Sequence, residues 1–262
     1  MKLVDLNISI KVDNNDKVIK FLKENESDII TLQEVMRGID IGVFDRYNNS
    51  KILKNELPQY KYQFFGPVWV AKCHIKNGIM TKDFGGLSEQ GNEVFSKYPI
   101  IEANNIFYHK NYAEFVDVTN FRQTDHGRAV EQVILQVEDK QLQILNIHGI
   151  WNQEKKGDIR TDKQCEFLLK KALEKDIPTI LVGDFNLNPK SNSINILNQQ
   201  FTNLINVYDI KTTRPTVRDG LDTGDSVDDY IFVDNKIKVN NFQVLKTDVS
   251  DHYPLLLDFE IR

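Results

Sequence analysis

Thr179-Ile180-Leu181-Val182-Gly183-Asp184-Phe185-Asn186 decides how this chain is read. The apolar run over 179–182 has the length and character of a strand buried on both faces. It leads directly into a carboxylate and an amide, Asp184 and Asn186. In α/β proteins a strand exit of this kind fixes a polar side chain on a rigid scaffold while its head stays accessible to a ligand. The same form recurs at five other places: Asn7 after KLVDL, Glu34 after DIITLQ, His148 after LQILNI, Asp229 before YIFV, and Asp251-His252 before YPLLLDF.

Outward from this run, strand-like and helix-like segments alternate along the chain, without a Pro/Gly/Ser linker, a low-complexity tract or an internal repeat. Residues 3–10 read as a strand, and 16–25 as a helix with Val18, Phe21 and Leu22 at helical spacing. Residues 28–35 read as a buried strand, and 50–57 as a helix stopped by Pro58. Val133, Leu135 and Val137 alternate with polar residues; beyond a turn at Asp139-Lys140, Leu142, Ile144, Asn146 and His148 share one face of a returning strand. This hairpin delivers His148 to its far end. Residues 157–175 are helical, and strands are expected at 92–96, 229–233, 239–245 and 255–261. Between 60 and 121, aromatics (Tyr62, Phe64, Phe65, Trp69, Phe84) and glycines (Gly66, Gly78, Gly85, Gly86, Gly91) suggest strands joined by surface loops. The pattern is mixed α/β, with two sheets packed together.

Composition narrows the functional classes. A 40% hydrophobic content supplies a sizeable core, although 262 residues alone leave one domain or two open. Two cysteines, Cys73 and Cys165, without paired spacing, argue against a disulfide framework or a structural zinc site and for a reducing compartment. The first seven residues carry charges every few positions and read as a strand rather than a signal peptide; no run is apolar enough to span a bilayer. A cytoplasmic monomer is expected. The net charge of −5 counts against a generic duplex-binding nuclease, while a metal site or a local basic patch keeps nucleic acid open as a substrate.

Singly, each strand-exit residue has an ordinary use. Glu34 suits a loop or cap, Asn7 can bond neighbouring backbone, His148 continues the alternation of its strand, and Asp184 and Asn186 can build an Asx-turn. Asp229 can be a strand-edge charge beside Asp228, and Asp251-His252 a cap before Pro254. Together they supply hard oxygen ligands suited to Mg2+ or Mn2+ and two histidines, one with a carboxylate to orient it. That is the equipment of phosphoester hydrolysis: a Lewis acid, a group that activates water, and donors for the charge of the transition state.

The segments LQEV (32–35), NIH (146–148), GDFN (183–186), DYI (229–231) and SDHYP (250–254) resemble the ordered motifs of the endonuclease/exonuclease/phosphatase superfamily, over essentially the whole chain. The resemblance implies one domain over 1–262, built as a four-layer sandwich of two mixed β-sheets face to face, flanked by helices. It implies Glu34 as principal metal ligand, with Asn7 and Asp251 assisting, and Mg2+ or Mn2+ as cofactor. Asp184 and Asn186 would position or deprotonate the attacking water and contact the phosphate. His252, paired with Asp229, would be a general base or a phosphate-stabilising cation, and His148 a donor to a non-bridging oxygen. A carboxylate on one ring nitrogen fixes the tautomer and raises the basicity of the other, which agrees with a dyad.

Arg128 is a further phosphate-binding candidate because its fork matches phosphate geometry, with a solvated strand-end charge as the alternative. Asn92 and Glu93 read as structural, and His74, His109 and His126 as surface residues. Trp151, Lys155, Lys156 and Arg160 follow His148 closely enough to touch substrate or simply to form a solvated loop. Subfamily signatures are absent: the inositol-phosphatase tryptophan-cysteine-aspartate-arginine motif is replaced by DSVDDYI, and Val227 stands where abasic-site endonucleases carry an arginine. The expectation is therefore a metal-dependent phosphodiesterase or nuclease. A phosphatase or phospholipase acting on a small headgroup, or a catalytically inactive binding module on the same fold, are the alternatives.

Overall fold

The computed structural model describes residues 1–9, 14–76, 79–115, 127–218, 221–222 and 224–262, without the side chains of 74, 76, 218, 221 and 222. Ile10, Gly78, Phe121, His126 and the side chain of His74 therefore lie outside the described residues. Strand β1 (Lys2–Asn7) leads through helix α1 (Asn15–Glu24) to β2 (Ile29–Gly38). A 3₁₀ turn (Asp45–Tyr47) and α2 (Asn49–Glu56) precede the long hairpin β3 (Tyr62–Lys76) and β4 (Ile79–Ser96). Next come β5 (Ile100–His109), β6 (Ala113–Phe115), β7 (Arg128–Val137), β8 (Lys140–His148), α3 (Ile159–Leu173) and β9 (Thr179–Asp184). The chain closes with α4 (Asn192–Asn198), β10 (Thr202–Asn203), α5 (Leu204–Val207), the short pair β11 (Val217–Arg218) and β12 (Leu221–Asp222), then β13 (Asp229–Val233), β14 (Ile237–Val244) and β15 (Leu255–Ile261).

Two mixed sheets result, one ordered β14-β15-β1-β2-β4-β3-β6 and the other β10-β13-β9-β8-β7-β5. Side-chain alternation assigns the layers. On β1, Val4 and Leu6 join Ile30 and Leu32 of β2 beneath Val18, Phe21 and Leu22 of α1 and Leu53 of α2. Burying each such side chain contributes about 1.5–3 kcal/mol. The other parity, Leu3 of β1 and Ile29 of β2, meets Val130, Val133 and Ile144 of the second sheet. Cys165, Leu168 and Ala172 of α3, with Ile194 and Leu197 of α4, belong to the same cluster. The order helices, sheet, sheet, helices is the four-layer sandwich expected from the sequence. The α3 helix starts at a capping box, with the Asp158 carboxylate accepting from the Arg160 and Thr161 amides.

Two expectations are refined. The first strand ends at Asn7 rather than continuing to residue 10. Two of the glycines of the 60–121 stretch do not mark loops: Gly66 and Gly91 lie inside the β3–β4 hairpin. A Cβ on Gly91 would stand 2.2 Å from the Gly66 carbonyl oxygen, so the glycine permits two backbones to approach rather than a turn. The aromatics of this stretch are largely core, with Trp69, Phe84 and Tyr47 packed together.

Candidate active site

Strand register builds the site. In the second sheet His148 pairs with Asp184 across β8 and β9, and Asp184 pairs with Asp229 across β9 and β13. Three of the predicted residues thus form one row, at the exits of β8 and β9 and the start of β13. Close approach in this row needs Gly183, at φ 128°, where a Cβ would stand 2.2 Å from the Ile147 carbonyl oxygen. The first sheet brings Asn7 on the inward parity of β1. Glu34 should by alternation face outward with Leu32, but the β2–β4 register shifts between Leu32 and Val35, and Glu34 takes a left-handed φ of 59°. This bulge turns its carboxylate to Asn7, whose Nδ2 donates at 3.4 Å. Asn186 is also left-handed (φ 54°), so two of the eight core candidates hold a backbone conformation that side chains seldom adopt.

Asp184 is the centre. Its Oδ2 accepts from Asn7 Nδ2 at 3.1 Å and lies 3.7 Å from His148 Nε2 and 3.8 Å from His252 Nε2. Its Oδ1 accepts from the Asn186 amide at 2.9 Å, while Asn186 Nδ2 donates to the Gly149 carbonyl at 3.3 Å. Burial pushes the Asp184 carboxyl up to about 6, with His252 holding it down against the added repulsion of Asp229 and Asp228. The dyad forms as expected, with Asp229 Oδ1 and Oδ2 at 2.9 and 3.0 Å from His252 Nδ1. Burial alone would lower the imidazole; the Asp229 charge outweighs it and raises His252 to about 9.

Arg128 belongs to the same neighbourhood. Its Nη1 lies 3.5 Å from the His148 carbonyl, and burial lowers the guanidinium pKa against the opposing charges of Tyr108, Asp184 and Glu34. Asp251, expected as an assisting metal ligand, has its Oδ2 accepting from Arg214 Nη2 at 2.5 Å. Asn92 donates to the Asn146 carbonyl and Glu93 accepts from Ser50, consistent with structural use.

Sequence reading missed a second tier. Thr213 Oγ1 donates to Asp229 Oδ2 at 2.7 Å, on the oxygen side away from the strand, and accepts from the Asp228 and Asp229 amides. Arg214 donates to Asp228 Oδ2 at 3.1 Å and to the Asp251 carbonyl at 3.1 Å. Lys155 also binds Asp228, and Ser226 Oγ donates to its other oxygen at 3.0 Å. Asp228, fully buried, is therefore a junction between the loops that carry His148, Asp229 and His252. The only trace in the sequence was the doubled acid Asp228-Asp229; Thr213 and Arg214 sit in an unremarkable loop far from any motif.

A sequence profile described as the Endonuclease/Exonuclease/phosphatase family matches residues 9–252. The chain belongs to the endonuclease/exonuclease/phosphatase family. Members of this family are phosphoester hydrolases. Solved structures carry the same fold. A family protein from Bacteroides vulgatus superposes with a TM-score of 0.73 at 17% identity, covering 100% of this chain and 98% of that one. A mannosyl-6-phosphatase from Bacteroides thetaiotaomicron gives 0.68 at 15% identity, with 100% of both chains covered. D. rerio TDP2, complexed with a single-strand DNA product, gives 0.68 at 15%, covering 99% and 98%. No curated protein sequence matches the chain.

For a member of this family the question is which residues here suit a divalent ion. Asp184, Asp229 and His252 each offer a ligand atom within 4.8 Å of the others. Asp229, however, spends both oxygens on His252 and Thr213. Glu34 and Asp184 both accept from the Asn7 Nδ2 amine group, at 3.4 and 3.1 Å, so two hard carboxylates flank one side-chain amide. That donor set fits Mg2+ or Mn2+ better than a softer metal. Asn7 Oδ1 accepts from the Ser9 amide at 3.0 Å, so ligation through this oxygen requires the amide to turn over.

Proposed function

We propose that this chain hydrolyses phosphoesters with the help of Mg2+ or Mn2+, acting as a phosphodiesterase or nuclease-type hydrolase. The observation that carries this reading is the convergence on Asp184 Oδ2 of His148 Nε2, His252 Nε2 and Asn7, with Glu34 on the far side of Asn7. Two imidazoles aimed at one buried carboxylate leave a space bordered by an acceptor and two donors, which a phosphate and a water satisfy together.

Each residue then has a task. Asp184, lifted to about 6, accepts the proton of the attacking water, and Asn186 keeps its carboxylate oriented through the amide bond at 2.9 Å. His252, at about 9, holds its proton at neutral pH and meets the developing charge on phosphate, with Asp229 fixing the ring. His148 and Arg128 supply further donors. The ion, held by Glu34 with Asn7 assisting, would act as a Lewis acid on the phosphate.

A compact phosphoester is the favoured substrate within this reading, because the net charge of −5 counts against a long polyanion. A cleft of about 690 Å³ lies beside the site, lined by Lys155, Asn188, Lys190, Asn206 and Val227 among others and by none of the proposed catalytic residues. A panel of bis-p-nitrophenyl phosphate, sugar phosphates, inositol phosphates, single-stranded DNA and RNA and sphingomyelin, at fixed Mg2+, tests both statements. Absence of any metal-dependent turnover would leave the inactive binding module as the surviving account. Turnover confined to polynucleotide would reverse the preference for a compact ester.

A further inference from the structure

Asp251 and Asp228 flank the two halves of the dyad in sequence, one directly before His252 and the other directly before Asp229. Both are gripped by one guanidinium. Arg214 Nη2 lies 2.5 Å from Asp251 Oδ2, Nε 3.1 Å from the Asp251 carbonyl, and Nη1 3.1 Å from Asp228 Oδ2. The next residue back, Thr213, bonds Asp229 itself through its hydroxyl, and its carbonyl accepts from the Tyr253 amide at 2.7 Å. The dipeptide Thr213-Arg214 thus touches residues 228, 229, 251 and 253: Asp229 and the residue before it, and both neighbours of His252.

From this geometry we propose that Arg214 is the resident cation of the centre: it holds Asp251 Oδ2, so that the site takes one divalent ion at Glu34 and Asn7 rather than two, and it positions the dyad through Asp228 and Asp251. The proposal rests on the metal-assisted reading above. Geometry supports it, because a planar fork reaches two carboxylates and a carbonyl at once, which neither an ammonium nor a spherical ion on Asp251 alone reproduces. Removing the fork leaves Asp251 and Asp228 to repel one another across a buried space, where Lys155 is the only remaining partner described for Asp228 among cations.

The test is Mn2+ titration of the whole protein by calorimetry and by the electron paramagnetic resonance signal of free ion, for wild type and Arg214→Ala, with turnover of bis-p-nitrophenyl phosphate measured alongside. One ion is expected for wild type and a second, weaker one for the variant. Its kcat should fall about 100-fold with KM within threefold, and guanidinium at millimolar concentration should restore part of kcat. If Arg214→Ala does not fold, Arg214→Lys carries the test, since it keeps the charge and loses the fork: kcat should fall about tenfold without rescue of the two-carboxylate grip. Two ions in the wild type, or kcat unchanged in the folded variant, overturns the proposal. No Mn2+ binding in any form would instead defeat the metal-assisted reading on which it stands.

Discussion

Two sets of buried acids solve the same electrostatic problem in opposite ways. At the strand exits, Asp184, Asp228 and Asp229 sit among Arg214, Lys155 and His252. In the interior of the sandwich, Asp5 and Glu131 lie among amides and hydroxyls. Asp5 Oδ1 accepts from Thr31 and Gln33 at 2.8 Å each, and Glu131 accepts from Asn146 Nδ2 at 2.8 Å and the Gly66 amide at 2.7 Å. Glu93, on the other face of its sheet, accepts from Ser50 and Gln63. With no cation bonded to them, burial pushes Asp5 up to about 8 and Glu93 to about 7, and lifts Glu131 well above the carboxylate range. At the exits the neighbouring cations hold Asp228 below its ordinary value and limit the rise of Asp184 to about 6, whereas burial dominates in the interior. Charge retained under burial, rather than acidity as such, is what distinguishes a site residue here.

The strongest way to break that contrast is Asp184→Asn. The amide preserves shape and removes both the negative charge and the proton acceptor, so turnover of bis-p-nitrophenyl phosphate should fall at least ~1,000-fold, in the range seen when a catalytic acid-base group is lost. The melting temperature should hold or rise, because a desolvated charge beside Asp228 and Asp229 has gone. Activity retained within tenfold would remove Asp184 from the mechanism.

Next in size is Asp229→Asn. The His252 ring stays hydrogen-bonded but loses the charge that lifts it to about 9. A histidine raised by a partner carries its proton up to the raised value, so the wild-type kcat/KM profile should decline only above pH 9. In the variant this alkaline limb should move down toward the ordinary histidine value near ~6.5, with kcat at neutral pH lower by about 100-fold. An unmoved limb would show that the Asp229 charge does not govern it.

The interior set is probed through stability. Glu93 has an ordinary value of 4.5 and a folded value of about 7, so the folded chain holds a proton that the unfolded chain releases as pH rises past 4.5. Stability from this group is full below pH 4.5, falls between 4.5 and 7, and levels off above. Glu93→Gln abolishes that loss: at pH 8 it should stabilise the fold by up to about 3 kcal/mol relative to wild type, and change little at pH 4.5. Urea denaturation at the two pH values measures it, and equal effects at both would contradict a proton-holding Glu93.

How much of this was legible in the sequence follows the same division. Residues on regular strands were readable, because alternation places Asn146 and His148 on one face and because an apolar run ending in Gly-Asp-Phe-Asn has few other uses. Glu34 was readable only as part of a motif, since strict alternation points it the wrong way and the bulge that corrects it depends on pairing with β4. Thr213 and Arg214 were not readable at all: their partners are 14 to 40 residues away in sequence, and nothing periodic marks the loop. Gly66 and Gly91 were misread as loop punctuation for the same reason, because a close approach of two backbones is a property of the pair and not of either segment.

The smallest expected effect is also the sharpest comparison. Asp5 lies near enough to Asp184 and Asp229 for their charges to add to its rise, and by sequence it is one more acid two residues before a strand exit. With its carboxyl at about 8, it is largely neutral at pH 6, where Asp5→Asn substitutes one uncharged planar group for another. The acceptor oxygen facing Thr31 and Gln33 is preserved, and the amide NH2 stands where Oδ2, which has no hydrogen-bond partner, stood, so no charge changes and no bond is lost. Stability at pH 6 should move by less than about 1 kcal/mol, within the range of a conserved buried hydrogen bond, and kcat by less than threefold. The same substitution, aspartate to asparagine, is thus expected to be nearly silent at position 5 and to abolish turnover at position 184. If Asp5→Asn instead cost activity on the scale of Asp184→Asn, Asp5 would be an ionised member of the site, and the division between charged exits and protonated interior would fail at its closest point of contact.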